Sequence, residues 1–253
     1  MEDTQLEMED TPPRDLDSVA LIDAETLPQL SFSNGMPLGN QVYRYLRELL
    51  RREVLKPGDS VQTGTLAKQL GVSKTPLRDA LIQLETEGFL NILPQRGVVI
   101  SILDERALRE IVEVLGGLES KLISVTMPRI TTQHLDKMSK INKQLFDLLP
   151  EGKTAYRRYN KLNIAFHNVF VGLCDNKLMV NQIRNLKERM YHFPDRDYGD
   201  TWRRMNAEEH QQIIELIERG ATQDVADFMR DIHWSFNLKK ATPALRQSGA
   251  TST

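Results

Sequence analysis

The sequence predicts a mainly α protein: an N-terminal winged helix-turn-helix followed by an all-α bundle of about six helices. Residues 38–88 read as three short helices separated by turn signals. Residues 90–101 switch to the period of a hairpin, and everything from Asp104 on returns to the helical period. The chain has 253 residues, 40% hydrophobic and 27% charged, which is globular composition with length for two modest cores. Lys plus Arg number 33 and Asp plus Glu 35, a net charge of -2. That excludes a globally basic nucleic-acid binder and leaves room for a local basic patch.

The charge is unevenly spread. Residues 1–35 hold nine acids (Glu2, Asp3, Glu7, Glu9, Asp10, Asp15, Asp17, Asp23, Glu25) against the single base Arg14, so this segment carries -8 and the remainder +6. It has no clear period, and Pro12-Pro13 and Ser33-Asn34-Gly35 break it, so a flexible acidic arm is expected. Its functional alternative is an arm that competes with DNA for a basic surface. No apolar run nears the ~18–20 residues that span a bilayer, and no leader pattern follows the acidic start. Cys174 is the only cysteine, so no internal disulfide is possible and a cytoplasmic setting is expected.

The expected domains are the arm (1–35), a winged helix-turn-helix (36–103), a helical domain (104–241) and a flexible tail (242–253). In the first helix Val42, Leu46, Leu49 and Leu50 share one face, and Lys56-Pro57-Gly58-Asp59 turns the chain. The second helix runs from Thr63, a capping candidate, to Leu70, with Gly71 ending it. The third starts at the cap candidate Ser73, tolerates Pro76 in its first turn, buries Leu77, Ala80, Leu81 and Leu84, and stops at Gly88. Leu90–Ile92 and Val98–Ser101 are the hairpin strands around Pro94-Gln95-Arg96-Gly97. Beyond Asp104, Leu108, Ile111, Val112, Leu115, Leu118 and Leu122 form one stripe. Further helices fit residues 132–149, 154–174, 176–191, 201–219 and 222–240. Short connections imply antiparallel neighbours.

A DNA-reading helix needs a packed inner face and a polar outer face whose first residues reach base edges and phosphates. Ser73, Lys74, Thr75 and Arg78 supply that outer face. Arg forks onto guanine, Lys reaches guanine or phosphate, and the hydroxyls reach phosphate. The small wing tip around Arg96 and Gly97 suits close approach to a phosphate or minor groove, and Arg44, Arg47, Arg51 and Arg52 add positive charge on the first helix. The run Gly71-Val72-Ser73-Lys74-Thr75-Pro76-Leu77-Arg78-Asp79-Ala80-Leu81, with Leu84-Glu85-Thr86-Glu87-Gly88 and Pro94-Gln95-Arg96-Gly97, resembles the GntR family of bacterial transcriptional regulators. The resemblance implies that Ser73, Lys74, Thr75, Arg78, Arg96 and Gly97 contact double-stranded operator DNA. Lys74 stands where Arg is common in the family, which would weaken bidentate reading of guanine. Thr63-Gly64-Thr65 replaces acidic or Arg residues that many members carry.

Five histidines punctuate the chain. His134 and His192 fall near helix boundaries among polar neighbours and read as surface residues. His167 lies one turn after Asn163, His210 shares a face with Ile213, Ile214 and Ile217, and His233 lines up with Met229 and Phe236. Three inward imidazoles in a bundle either converge on a divalent metal or serve as hydrogen-bonded core residues. The helical half resembles the FadR C-terminal domain (FCD) group of GntR regulators, in which an Asp-x-x-x-His pair and two later histidines bind a metal that holds a small carboxylate. The resemblance implies a metal site of Asn163, His167, His210 and His233, with zinc or nickel as the ion and a small-molecule effector, such as a carboxylate, beside it. Asn163 replaces the usual Asp and brings no charge, and Leu115 replaces an Arg that many members carry.

These readings converge on a ligand-responsive regulator that binds a palindromic operator as a homodimer. A metal-free DNA-binding regulator is the alternative. A helical metalloenzyme is remote: no placed general base or nucleophile motif accompanies the histidines, and the winged helix would go unexplained. The chain is therefore not expected to be an enzyme.

Overall fold

The computed structural model describes residues 35–52, 54–191 and 199–235. The expected acidic arm, the tail, His192 and Phe236 lie outside the described residues, apart from Gly35 at the arm's end. The chain divides into two compact units, Met1–Ile102 and Leu103–Thr253. No described helix is long and apolar enough to cross a membrane.

In the first unit, α1 (Leu38–Arg51), α2 (Thr63–Leu70) and α3 (Lys74–Thr86) surround a core in which Val42, Leu46, Leu49, Leu66, Leu77 and Leu84 are all nearly inaccessible. Gly71 takes a left-handed φ of 64° and closes α2, as its lack of a Cβ permits. Thr63 is not the cap of α2. Gln62 holds that position with extended backbone, and Thr63 is the first helical residue. Ser73 does sit at the cap of α3, yet its side chain makes no capping hydrogen bond, so the hydroxyl is not consumed by its own helix.

The hairpin strands are β2 (Leu90–Leu93) and β3 (Gly97–Ile100), antiparallel with Leu90 opposite Ile100 and Leu93 opposite Gly97. A third strand, β1 (Ser60–Val61), pairs with the other side of β3. It escapes sequence reading because two residues are too few to show a period. Glu85, near the end of α3, accepts a hydrogen bond from the Ile92 N–H at 2.6 Å and ties the hairpin to that helix.

The second unit contains six α-helices among its described residues: α4 (Glu105–Thr126), α5 (Thr132–Leu148), α6 (Tyr156–Val171), α7 (Lys177–Tyr191), α8 (Gly199–Glu218) and α9 (Thr222–Phe228). The Asp104 carboxylate accepts from the Ala107 N–H at 2.7 Å and caps α4, a contribution of about 1 kcal/mol. His134 caps α5: its Nδ1 accepts from the Thr131 N–H at 3.0 Å, so it is a half-buried structural residue rather than a free surface one. Helix α4 packs along α6, α7 and α9, while α5 packs against α6 and α8. Tyr159 fixes α6 to α8 by donating its hydroxyl to the Arg203 carbonyl at 2.7 Å.

The last helix departs from expectation. It is α-helical only to Phe228 and then widens into a π-helical turn, Met229–His233. The Trp234 N–H reaches back five residues to the Met229 carbonyl at 3.0 Å. Gly116 of α4 permits this. A Cβ there would lie 3.2 Å from Trp234 Cβ and 3.3 Å from the Arg230 carbonyl oxygen. The indole N–H of Trp234 then donates to Glu119 on α4 at 2.9 Å.

Candidate functional site

The first unit places Ser73, Lys74, Thr75 and Arg78 together on the exposed face of α3, with Leu77, Ala80, Leu81 and Leu84 buried behind them. Arg96 is exposed at the wing tip, beside Gln95 at φ 64°. Among the described residues, Lys74, Arg78 and Arg96 form no ion pair, so their charge is available to an external anion. The arginines of α1 are another matter. Arg47 is mostly buried, stacked 3.7 Å over the Phe89 ring and 3.6 Å from Glu87, and burial lowers its pKa. Arg51 and Arg52 both lean on Glu48. Of the four arginines expected to add positive charge on this helix, three are therefore at least partly compensated, Arg51 and Arg52 by Glu48 of α1 and Arg47 by Glu87 at the end of α3. Gly97 has a structural cause of its own. Its φ is 99°, and a Cβ would fall 2.4 Å from the Val61 carbonyl oxygen, so only glycine lets β1 and β3 approach.

In the second unit His167 of α6, His210 of α8 and His233 of the π turn converge, with one ligating atom from each within 4.8 Å of the others, and all three are buried. His167 Nδ1 donates to Glu119 Oε2 at 2.7 Å and His233 Nδ1 to Glu209 Oε2 at 3.0 Å. A carboxylate only accepts, so each places the proton on Nδ1 and leaves a lone pair on Nε2. Those two Nε2 atoms face each other at 3.2 Å. Two lone pairs so placed repel unless a cation lies between them. Tetrahedral ligands at zinc's bond length of about 2.0–2.1 Å stand about 3.3 Å apart, so this edge fits a metal. His210 is fully buried, stacked on Phe166 (centroids 3.8 Å, planes 8° apart), and neither of its ring nitrogens has a hydrogen-bond partner. Such a pair of orphaned nitrogens costs about 1–3 kcal/mol unless something ligates them. The residues therefore fit a divalent ion. Asn163 is buried one turn before His167 on the same helix.

The electrostatics agree with neutral ligands. Burial first, then the neighbouring His233, His167 and Lys187, hold His210 well below the ordinary imidazole range. Burial also drives His167 down to about 3, against the opposing pull of Glu119. Glu119 is itself fully buried, which alone would raise its pKa. His167 and Lys187 outweigh that and keep it ionised, below the usual carboxylate range. Lys187 of α7 is buried and pairs with Glu119 Oε1, and burial lowers its pKa.

Sequence reading missed Glu119, Lys187 and Trp234 as parts of this site. Glu119 lies one turn after Leu115 on the apolar stripe of α4, and Lys187 one turn after the buried Ile183 of α7. Opposite charges on two apolar faces were the legible signal.

Residues 38–100 match the family model described as bacterial regulatory proteins, gntR family, and residues 110–233 match the FCD domain model. The chain is 29% identical over 174 residues to the Nta operon transcriptional regulator of Aminobacter aminovorans, an alignment covering 69% of this chain and 80% of that protein. It is 24% identical over 180 residues to the HTH-type regulator YdhC of Bacillus subtilis (strain 168), covering 71% and 80%. Among solved structures, E. coli McbR/YncC aligns with a TM-score of 0.60 at 21% identity, over 85% of this chain and 99% of that one. A likeness at that identity speaks to the fold alone.

Proposed function

The chain belongs to the GntR family of bacterial transcriptional regulators and carries an FCD domain, and from that premise we propose that a divalent metal in its helical half anchors a small effector that tunes operator binding. The family assignment makes it a DNA-binding regulator with an effector-binding domain, not an enzyme. The finer reading has it bind a palindromic operator as a homodimer in the cytoplasm, through Ser73, Lys74, Thr75, Arg78, Arg96 and Gly97. Three exposed, uncompensated cations on α3 and the wing support that interface.

The observation that carries the metal is the pair of facing Nε2 atoms at 3.2 Å beside the orphaned ring of His210. His167, His210 and His233 would hold zinc or nickel, with Asn163 as a neutral oxygen donor. When bound, such an ion supplies a Lewis-acidic charge to which a carboxylate can add as a further ligand. Glu119 and Glu209 orient two of the rings. An effector shifts DNA affinity only if it binds two states of the protein unequally. The test is DNA-binding anisotropy of the full chain on its operator, with and without chelator, and with added zinc or nickel plus a panel of small carboxylates. A metal- and carboxylate-dependent change in affinity supports the reading. DNA binding that ignores both leaves a metal-free regulator.

A further inference from the structure

One buried carboxylate joins three elements at the triad. Glu119 Oε2 accepts from His167 Nδ1 at 2.7 Å and from Trp234 Nε1 at 2.9 Å, while Oε1 pairs with the Lys187 ammonium. Glu119 is 0% exposed and Lys187 3%. The Lys187 ammonium lies 5.3 Å over the Trp234 ring, and that ring stands 5.3 Å from both the His167 and the His233 rings. A buried carboxylate without a counter-charge is strongly unfavourable. Two cations can serve here: the ammonium of Lys187, and a metal acting through the polarised N–H of His167. The two are like charges at close range in a region of low dielectric, so each weakens the hold of the other.

We infer that Glu119 and Lys187 set the metal affinity of the triad in opposite directions, Glu119 as the positioning residue that strengthens His167 as a ligand, Lys187 as an internal cation that holds the charge of Glu119 when no metal is bound. This rests on the metal reading above. It assigns Lys187 a cost to metal binding and a benefit to the metal-free fold. A Lys buried merely to stabilise the bundle would carry no such trade.

The test uses the full-length protein and the metal alone, zinc or nickel, with calorimetric titration and thermal unfolding side by side. Glu119→Gln removes the charge but keeps the shape. Its metal affinity should fall about 10- to 100-fold, the usual effect of losing an outer partner of a ligating histidine. Lys187→Met should lower the Tm of the metal-free protein, yet bind metal about tenfold more tightly, with a larger metal-induced rise in Tm than wild type. If the Met variant does not fold, Lys187→Gln keeps a donor to Glu119 while removing the charge and should move affinity in the same direction. Both substitutions weakening metal binding together would overturn the inference while leaving the metal site standing. A wild-type protein that binds neither ion would instead remove the reading beneath it.

Discussion

Replacing His210 by Leu, a side chain of similar size with no polar atom, should stabilise the metal-free protein at pH 7.5 and halve part of its acid sensitivity. Both ring nitrogens of His210 are buried and without a partner, so their removal returns about 1–3 kcal/mol. Loss of the stacked contact with Phe166 offsets about 0.5–1.5 kcal/mol of that, for a net gain of about 1 kcal/mol. The pH dependence follows from the direction of the shift. Folded His210 stays neutral well below 6.5, whereas in the unfolded chain it protonates near 6.5. The unfolded state therefore binds more protons below 6.5, and stability falls as pH drops through that value. Between pH 7.5 and 5.5 this costs on the order of 1 kcal/mol for one such imidazole. His167, lowered to about 3 in the fold, contributes a similar loss over the same window. The titratable groups that act on the ring are His233, His167 and Lys187; Glu119, the partner of His167, is held below the carboxylate range and titrates only there. The loss from these two rings in wild type should be about twice that in His210→Leu, where only His167 still contributes. Urea unfolding followed by tryptophan fluorescence, in chelator at pH 7.5, 6.5 and 5.5, reads both effects. A variant less stable than wild type at pH 7.5, or one with an unchanged pH slope, would refute the reasoning.

Three further substitutions probe the rest of the molecule. Gly97→Ala forces a side chain to φ 99° and against the Val61 carbonyl, so the winged unit should lose about 2 kcal/mol or more, read as a lower Tm by circular dichroism. Arg78→Ala leaves an exposed helix face intact and should cost operator binding about 1–3 kcal/mol with no change in Tm; equal affinity by anisotropy would remove Arg78 from the interface. Gly116→Ala crowds Trp234 and the Arg230 carbonyl, displacing the π turn that carries His233. Metal affinity should drop several-fold while far-UV dichroism stays constant, and an unaltered affinity would detach the turn from the site.

Much of the fold is legible because its signals are local. The apolar faces of α1 and α3, the glycine after α2 and the Pro-Gln-Arg-Gly turn each follow from a few adjacent residues, and the two hairpin strands differ from expectation by one residue at their ends. The three histidines stand out by residue type alone. Their convergence is not local: it depends on Gly116 admitting Trp234 and on the backbone bond from Trp234 to Met229 that opens the π turn. Periodicity marks Glu119 and Lys187 as single charges on otherwise apolar faces, but their pairing is not local, since each partner lies on another helix. Arg47 shows the converse. It reads as surface charge by composition, but Phe89 and Glu87 draw it inward.

The central claim is that His167, His210 and His233 hold a divalent ion. Elemental analysis of the purified full-length protein beside His210→Ala, before and after incubation with zinc or nickel and desalting, tests it most directly. Stoichiometric metal in the wild type and its loss in the variant is the predicted result. Equal, negligible metal in both proteins after incubation would contradict the claim.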